Sequence, residues 1–256
     1  MENRKGILSL FSNKKPIIGL IHLKGENDAD IFDRAKREID LYVSNGVDAV
    51  LIENYYGNYY HMETVLNYLN TEKSDLIYGV NCLNLDVLGF ELAEKYNAKF
   101  IQFDSVVGHV KPRDDYSLEA FFNLYRKKCN AYILGGVRFK YQPILSERTL
   151  EEDLKIAMTR CDAIVVTQDA TGQETSIDKI KEFRKVIGDF PLFVGAGVTP
   201  DNCDKQMEIV DGAIIGSYFK DSYKDTGDVS SEHISEIVDA FGKYRKEIKD
   251  DSVSES

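Results

Sequence analysis

Short runs of β-branched and aliphatic residues recur along the chain, each followed by apolar positions at helical spacing. The first run is Ile17-Ile18-Gly19-Leu20-Ile21. After it Ile31, Ala35, Ile39, Tyr42 and Val43 share one helical face, and Gly46 stops that helix as a C′ glycine does. Ala49-Val50-Leu51-Ile52 is followed by Met62, Val65, Leu66 and Leu69; Leu76 to Val80 by Leu88, Leu92 and Tyr96; Phe100 to Phe103 by Leu118, Phe121, Phe122 and Tyr125. A fifth run starts at Ala131 and continues to Phe139, ahead of Leu150, Leu154 and Ala157. Ala163 to Val166 precedes Ile177, Ile180, Phe183 and Ile187. Leu192-Phe193-Val194 leads to a short helix opened by Thr199-Pro200, where Thr suits the N-cap and Pro the first turn. Ala213-Ile214-Ile215 precedes Ile234, Ile237, Val238, Phe241 and Tyr244.

Strands that are apolar throughout are covered on both faces, as in a parallel sheet. Eight strand–helix units in 256 residues is the arithmetic of a single (β/α)8 TIM barrel. An open doubly wound sheet would want a GxGxxG after the first strand, where the chain has His22-Leu23-Lys24-Gly25-Glu26. The pattern predicts an N-terminal extension over residues 1–15, read as an extra helix across the barrel bottom, a barrel over 16–249, and a polar, frayed tail over 250–256.

Composition narrows the partners. The net charge of −11 disfavours a polyanion, so nucleic acid is not expected, although one site can be locally positive and take a small phosphorylated molecule. No apolar run is long enough for a signal peptide or a membrane span, so the expectation is a cytoplasmic protein without membrane insertion; a homo-oligomer is left open. Cys82, Cys129, Cys161 and Cys203 form no CxxC pair and read as reduced, buried thiols.

In this fold chemistry sits where strands end. Val194-Gly195-Ala196-Gly197-Val198 and the end of strand eight at Gly216-Ser217 are two glycine loops. Glycine lets backbone N–H groups approach an anion, which makes Gly195, Gly197, Gly216 and Ser217 phosphate-binding candidates; tight turns alone would be the plainer explanation. Arg138 and Lys140 are two apart, so both point one way if the strand continues. Inward, they would bind an anion, with Lys140 as electrophile or nucleophile; outward, they would only be solvated. Glu53 and His22 are candidates for moving protons. His109 carries less weight, and His61 and His233 read as incidental helix-surface residues. Asn54, Asn81, Asp104, Thr167, Thr171 and Gly172 complete a substrate-binding set. No cofactor is expected. His22, Glu53 and Asp104 could hold a divalent metal, but nothing in their spacing requires one.

The ordered segments IIGLIHL, GVDAVLIEN, YGVN, VRFK with QP, CDAIVVTQDATG, VGAGVTPDN and DGAIIGSYFK resemble the BtpA family from about Pro16 to Lys220. The resemblance implies a TIM barrel of the ribulose-phosphate-binding kind. It implies no settled reaction, and the founding member is described as a factor in photosystem I biogenesis. Matching polar positions include His22, Glu53, Asn54, Asn81, Lys140, Thr167, Thr171, Gly172, Thr199, Asn202, Asp211 and Lys220. The chain departs from the family pattern in its short loop after Leu23, at Gln168, at Asn84, and around Lys140, where it carries Gly136, Arg138 and Tyr141. The expectation is an enzyme acting on a small phosphorylated metabolite such as a sugar phosphate or nucleoside-type compound; the alternative is a non-catalytic biogenesis factor for a membrane protein complex. The aromatic segment Tyr55 to Tyr60 fits either a partner surface or a lid.

Overall fold

The computed structural model describes residues 6–108 and 115–245. Eight parallel strands close into one barrel in chain order, with β8 paired back to β1. They are β1 (Ile17–Ile21), β2 (Ala49–Glu53), β3 (Tyr78–Asn81), β4 (Phe100–Phe103), β5 (Tyr132–Gly136), β6 (Ala163–Val166), β7 (Leu192–Val194) and β8 (Gly212–Ile215). Between and after them run α1 (Asp28–Ser44), α2 (Tyr59–Glu72), α3 (Asp86–Lys95), α4 (Asp115–Arg126), α5 (Leu150–Arg160), α6 (Ile177–Ile187), α7 (Pro200–Met207) and α8 (Ser231–Arg245). The (β/α)8 barrel expected from the alternation is the observed fold.

Side chains alternate across each strand. One set (Ile18 and Leu20 of β1, Ala49 and Leu51 of β2, Phe100, Leu134, Ala163, Val165, Phe193 and Ile214) packs as a core inside the barrel. The other, including Ile17, Ile21, Val50, Ile52, Ile133 and Ile164, packs against the helices. Interior space is matched position by position. A Cβ on Gly79 would lie 2.2 Å from the Phe100 ring, so the glycine is what admits that phenylalanine.

The expected N-terminal helix is short and of the 3-10 type. Among the described residues it forms one 3-10 turn, Ile7–Leu10, whose Ile7, together with Phe11, joins the barrel-interior core and plugs the bottom. The expected tail of 250–256 lies outside the described residues, as does His109. The four cysteines are buried. Among the described residues no helix is long and apolar enough to cross a membrane.

Candidate active site at the carboxyl ends of the strands

Extending the inward alternation by one step carries each strand into the barrel mouth. Leu20 is followed inward by His22, Leu51 by Glu53, Gly79 by Asn81, Val165 by Thr167, Phe193 by Gly195 and Ile214 by Gly216, while Phe100 is followed by Gln102 and Asp104. The polar candidates therefore form one layer on top of an apolar core, with different chemistry on its two sides.

The side built by β1 to β4 is acid–base. His22, Glu53, Asn81 and Gln102 are all buried. Asn81 Nδ2 donates to both Glu53 Oε1 and Asp104 Oδ1, each at 3.3 Å, and Gln102 Nε2 donates to the same Asp104 oxygen at 3.3 Å. His22 Nε2 lies 3.7 Å from Glu53 Oε2. Burial, aided by the nearby Asp104 charge and opposed by Lys140, pushes the Glu53 carboxyl up to about 8. Burial also raises Asp104, against the Gln102 and Asn81 hydrogen bonds and the Lys140 charge. The His22 imidazole is pulled down to about 3, chiefly by burial and then by the positive charge of Lys220. At neutral pH this side thus holds a neutral imidazole and a protonated Glu53. Asn54 stands outside the layer and accepts the Leu83 N–H at 2.7 Å, tying the β2 and β3 loops together.

Lys140 and Arg138 part company. Strand β5 ends at Gly136, and Arg138 (φ 48°) and Tyr141 (φ 61°) both turn left-handed, which breaks the alternation the shared direction required. Arg138 is drawn outward: its Nε donates to Asp153 at 3.1 Å and its Nη2 to the Arg148 carbonyl at 2.8 Å. Phe139 enters the interior core. Lys140 is half-buried, its N–H donates to Thr167 Oγ1 at 2.9 Å, and its ammonium acts on His22, Glu53 and Asp104. Lys220 is not at the mouth surface either. It is buried against Glu38 of α1, Nζ to Oε1 3.5 Å. Among the described residues no group of three or more His, Cys, Asp or Glu is placed to hold a metal ion.

The side built by β6 to β8 is a cup of about 230 Å³ lined by Gly172, Gly197, Val198, Thr199, Gly216, Ser217, Tyr218 and Tyr223, with Ile215 beneath. Gly197 (φ 65°) packs so tightly on the 173–174 backbone that a Cβ would sit 2.3 Å from the Gln173 oxygen. Gly172 faces Ser217, at 3.5 Å from a built Cβ to Oγ. Gly195 supports the cup from below, against Val165 and Thr167. Thr171 Oγ1 is buried beside the Tyr55 and Tyr141 hydroxyls. Thr199 and Asn202 serve the α7 start: the Thr199 N–H donates to Asn202 Oδ1 at 2.9 Å. Asp211 is a strand staple, accepting from the Leu192 N–H and from Arg184. The two sides meet at Gly216, whose Cβ position would be 3.7 Å from His22 Cε1.

Above this layer the aromatic segment folds over the mouth. The Tyr55 ring lies 5.1 Å from His22, and the Tyr56 hydroxyl donates to Asp225 at 2.9 Å. Two histidines expected on the surface have work inside the fold. His61 is buried, accepting the Asn58 N–H and pairing with Asp28 at 3.0 Å. His233 bonds the Lys220 carbonyl and stacks on Tyr223.

Gln102 and Asp225 were not among the sequence candidates. Gln102 has a signal, a polar residue at an inward position one step below Asp104. Asp225 has none, because it reaches the mouth only through the course of a long loop.

Solved structures with this architecture include thiamine phosphate pyrophosphorylase from Pyrococcus furiosus, with 13% identity over 90% of this chain and 96% of that one and a TM-score of 0.61. Phosphoribosyl anthranilate isomerase from Thermus thermophilus aligns with 9% identity over 89% and 98% of the two chains, TM-score 0.60. At such identities the likeness is one of fold. In sequence, an uncharacterized protein of Methanocaldococcus jannaschii is 27% identical, covering 91% of this chain and 97% of its own. The photosystem I biogenesis protein BtpA of Synechocystis is 22% identical over 94% and 92%. The BtpA family matches residues 13–243, which take in every strand and the whole mouth, and the chain belongs to that family.

Proposed function

We propose that the barrel mouth is the active site of an acid–base enzyme acting on a small phosphorylated metabolite. The carrying observation is the juxtaposition at Gly216: a glycine-lined cup on one side, and on the other a layer of buried groups able to move protons. The phosphate occupies the cup, met by backbone N–H groups of the loops after β7 and β8. The body of the substrate then crosses His22 toward Glu53 and Asp104. Glu53, protonated at neutral pH, gives a proton to the reacting group, and Asp104, held in place by Asn81 and Gln102, takes one. Lys140 stabilises negative charge that develops on substrate oxygen. The names of the fold neighbours, a thiamine phosphate pyrophosphorylase and a phosphoribosyl anthranilate isomerase, agree with a phosphorylated substrate.

A thermal-shift screen of sugar phosphates and nucleotides on the wild type and Lys140→Ala tests this reading. A ligand at a hundred times its dissociation constant adds about 2.7 kcal/mol of stability to the folded state. The expected result is a rise in Tm for the wild type that Lys140→Ala loses. No shift with any phosphorylated compound, together with a stable protein partner recovered by pull-down, would favour instead the biogenesis role in the name of the Synechocystis relative.

A further inference from the structure

The loop from Lys220 to Ser230, between the 3-10 turn after β8 and helix α8, runs across the mouth and is stapled there. Lys24 donates to the Gly227 carbonyl at 3.1 Å, Arg34 pairs with Asp228, and Lys220 bridges to Val229. This course brings Asp225 over the site. Its carboxylate accepts from the Tyr56 hydroxyl at 2.9 Å and acts on Tyr55, Tyr141 and His22. Tyr141 in turn accepts the Thr171 N–H at 2.9 Å. A carboxylate framed by tyrosines, each ring half-exposed and edged with a hydroxyl, is chemistry that recognises hydroxyl groups. The carboxylate accepts from them, and the rings pack on the C–H faces between them.

The charges point the same way. Asp104 and Asp225 border the mouth beside a Glu53 that holds its proton, and of the described strand-end cations Arg138 is committed to Asp153 and Lys220 to Glu38, leaving Lys140. A second anionic group on the substrate would meet the Asp225 charge, with Arg138 and Lys220 already held by Asp153 and Glu38.

Resting on the active-site reading above, we propose that Asp225 is a specificity-determining residue that selects substrates with a single phosphate and a neutral, hydroxyl-bearing body, and that excludes those carrying a second phosphate or a carboxylate.

Calorimetric titration with five probes tests it: inorganic phosphate, glycerol 3-phosphate, 3-phosphoglycerate, ribose 5-phosphate and ribulose 1,5-bisphosphate. In the wild type, ribose 5-phosphate is expected to bind at least tenfold more tightly than the bisphosphate. Glycerol 3-phosphate should likewise bind at least tenfold more tightly than 3-phosphoglycerate. Asp225→Asn keeps the shape and removes the charge; it should leave inorganic phosphate binding unchanged, which also shows that the variant is folded, and reduce both ratios to threefold or less. If inorganic phosphate binds but the charged and neutral bodies bind alike in the wild type, or if Asp225→Asn leaves the ratios intact, the selectivity role is overturned while the phosphate site stands. If none of the five binds, the phosphate site falls and the role of Asp225 with it.

Discussion

Replacing Glu53 by Gln should make the protein more stable, and increasingly so as the pH rises. The side chain is buried, and its carboxyl holds a proton up to about 8 in the fold against an ordinary value of 4.5. The unfolded chain therefore releases this proton near 4.5 while the folded chain keeps it. Between those values the folded state binds more protons, so stability falls with rising pH; the full contribution is present below 4.5 and is lost as the pH passes 8. At about 1.4 kcal/mol per pKa unit, the difference of some 3.5 units sets a ceiling of roughly 5 kcal/mol above pH 8 and about 3 kcal/mol at pH 7. Asp104 is also held above its usual range, and the two carboxyls titrate as a pair, so about 2 kcal/mol at pH 7 is the expected gain. Glutamine keeps the shape, and its Oε1 can still accept from Asn81. Urea unfolding of both proteins from pH 5 to 8.5, at equal m-values, reads the effect: a difference under about 1 kcal/mol at pH 5 that widens through pH 8. Parallel stability curves over that range would show that Glu53 ionises normally, and would refute the buried, proton-holding pair.

Three further expectations use the same unfolding measurement, with the ligand-binding assay beside it for Lys140. His22→Gln should flatten the acid limb: the imidazole titrates near 3 in the fold against 6.5 unfolded, so the wild type loses stability as the pH falls below 6.5, and the variant should gain about 1 to 2 kcal/mol relative to it at pH 5. Lys220→Met should cost about 3 kcal/mol by stranding buried Glu38, whereas Lys140→Met should change stability by under about 1 kcal/mol and abolish ligand binding; equal costs would contradict the placement of the two lysines. Gly197→Ala combines a left-handed φ with a clash against backbone and should cost about 3 kcal/mol or more, while Gly172→Ala shares the left-handed φ (75°) but meets only ordinary contacts and should cost about 1 kcal/mol.

The barrel is readable in the chain because its apolar runs follow two different periods, and most of the mouth is readable by the same counting. From Ile18 and Leu20 the next inward position is His22, and from Ala49 and Leu51 it is Glu53. The parity rule fails at Arg138 for a physical reason: the strand has ended, and a left-handed residue follows. It is also silent on which cations have partners. Nothing near Lys220 in sequence announces Glu38, which lies 182 residues away, and nothing near Arg138 before residue 148 announces its outward partners. Asp225 is hidden for the same reason, since its place over the site depends on Lys24 and Arg34 holding a loop from the far end of the chain.

A crystal structure of the protein grown with inorganic phosphate tests the central claim most directly. The account predicts a tetrahedral anion in the cup between the β6, β7 and β8 loops, within hydrogen-bond distance of backbone N–H groups from both the 195–199 and the 216–218 segments, on the Gly216 side of His22. A phosphate bound only elsewhere, with the cup left to solvent, would contradict it.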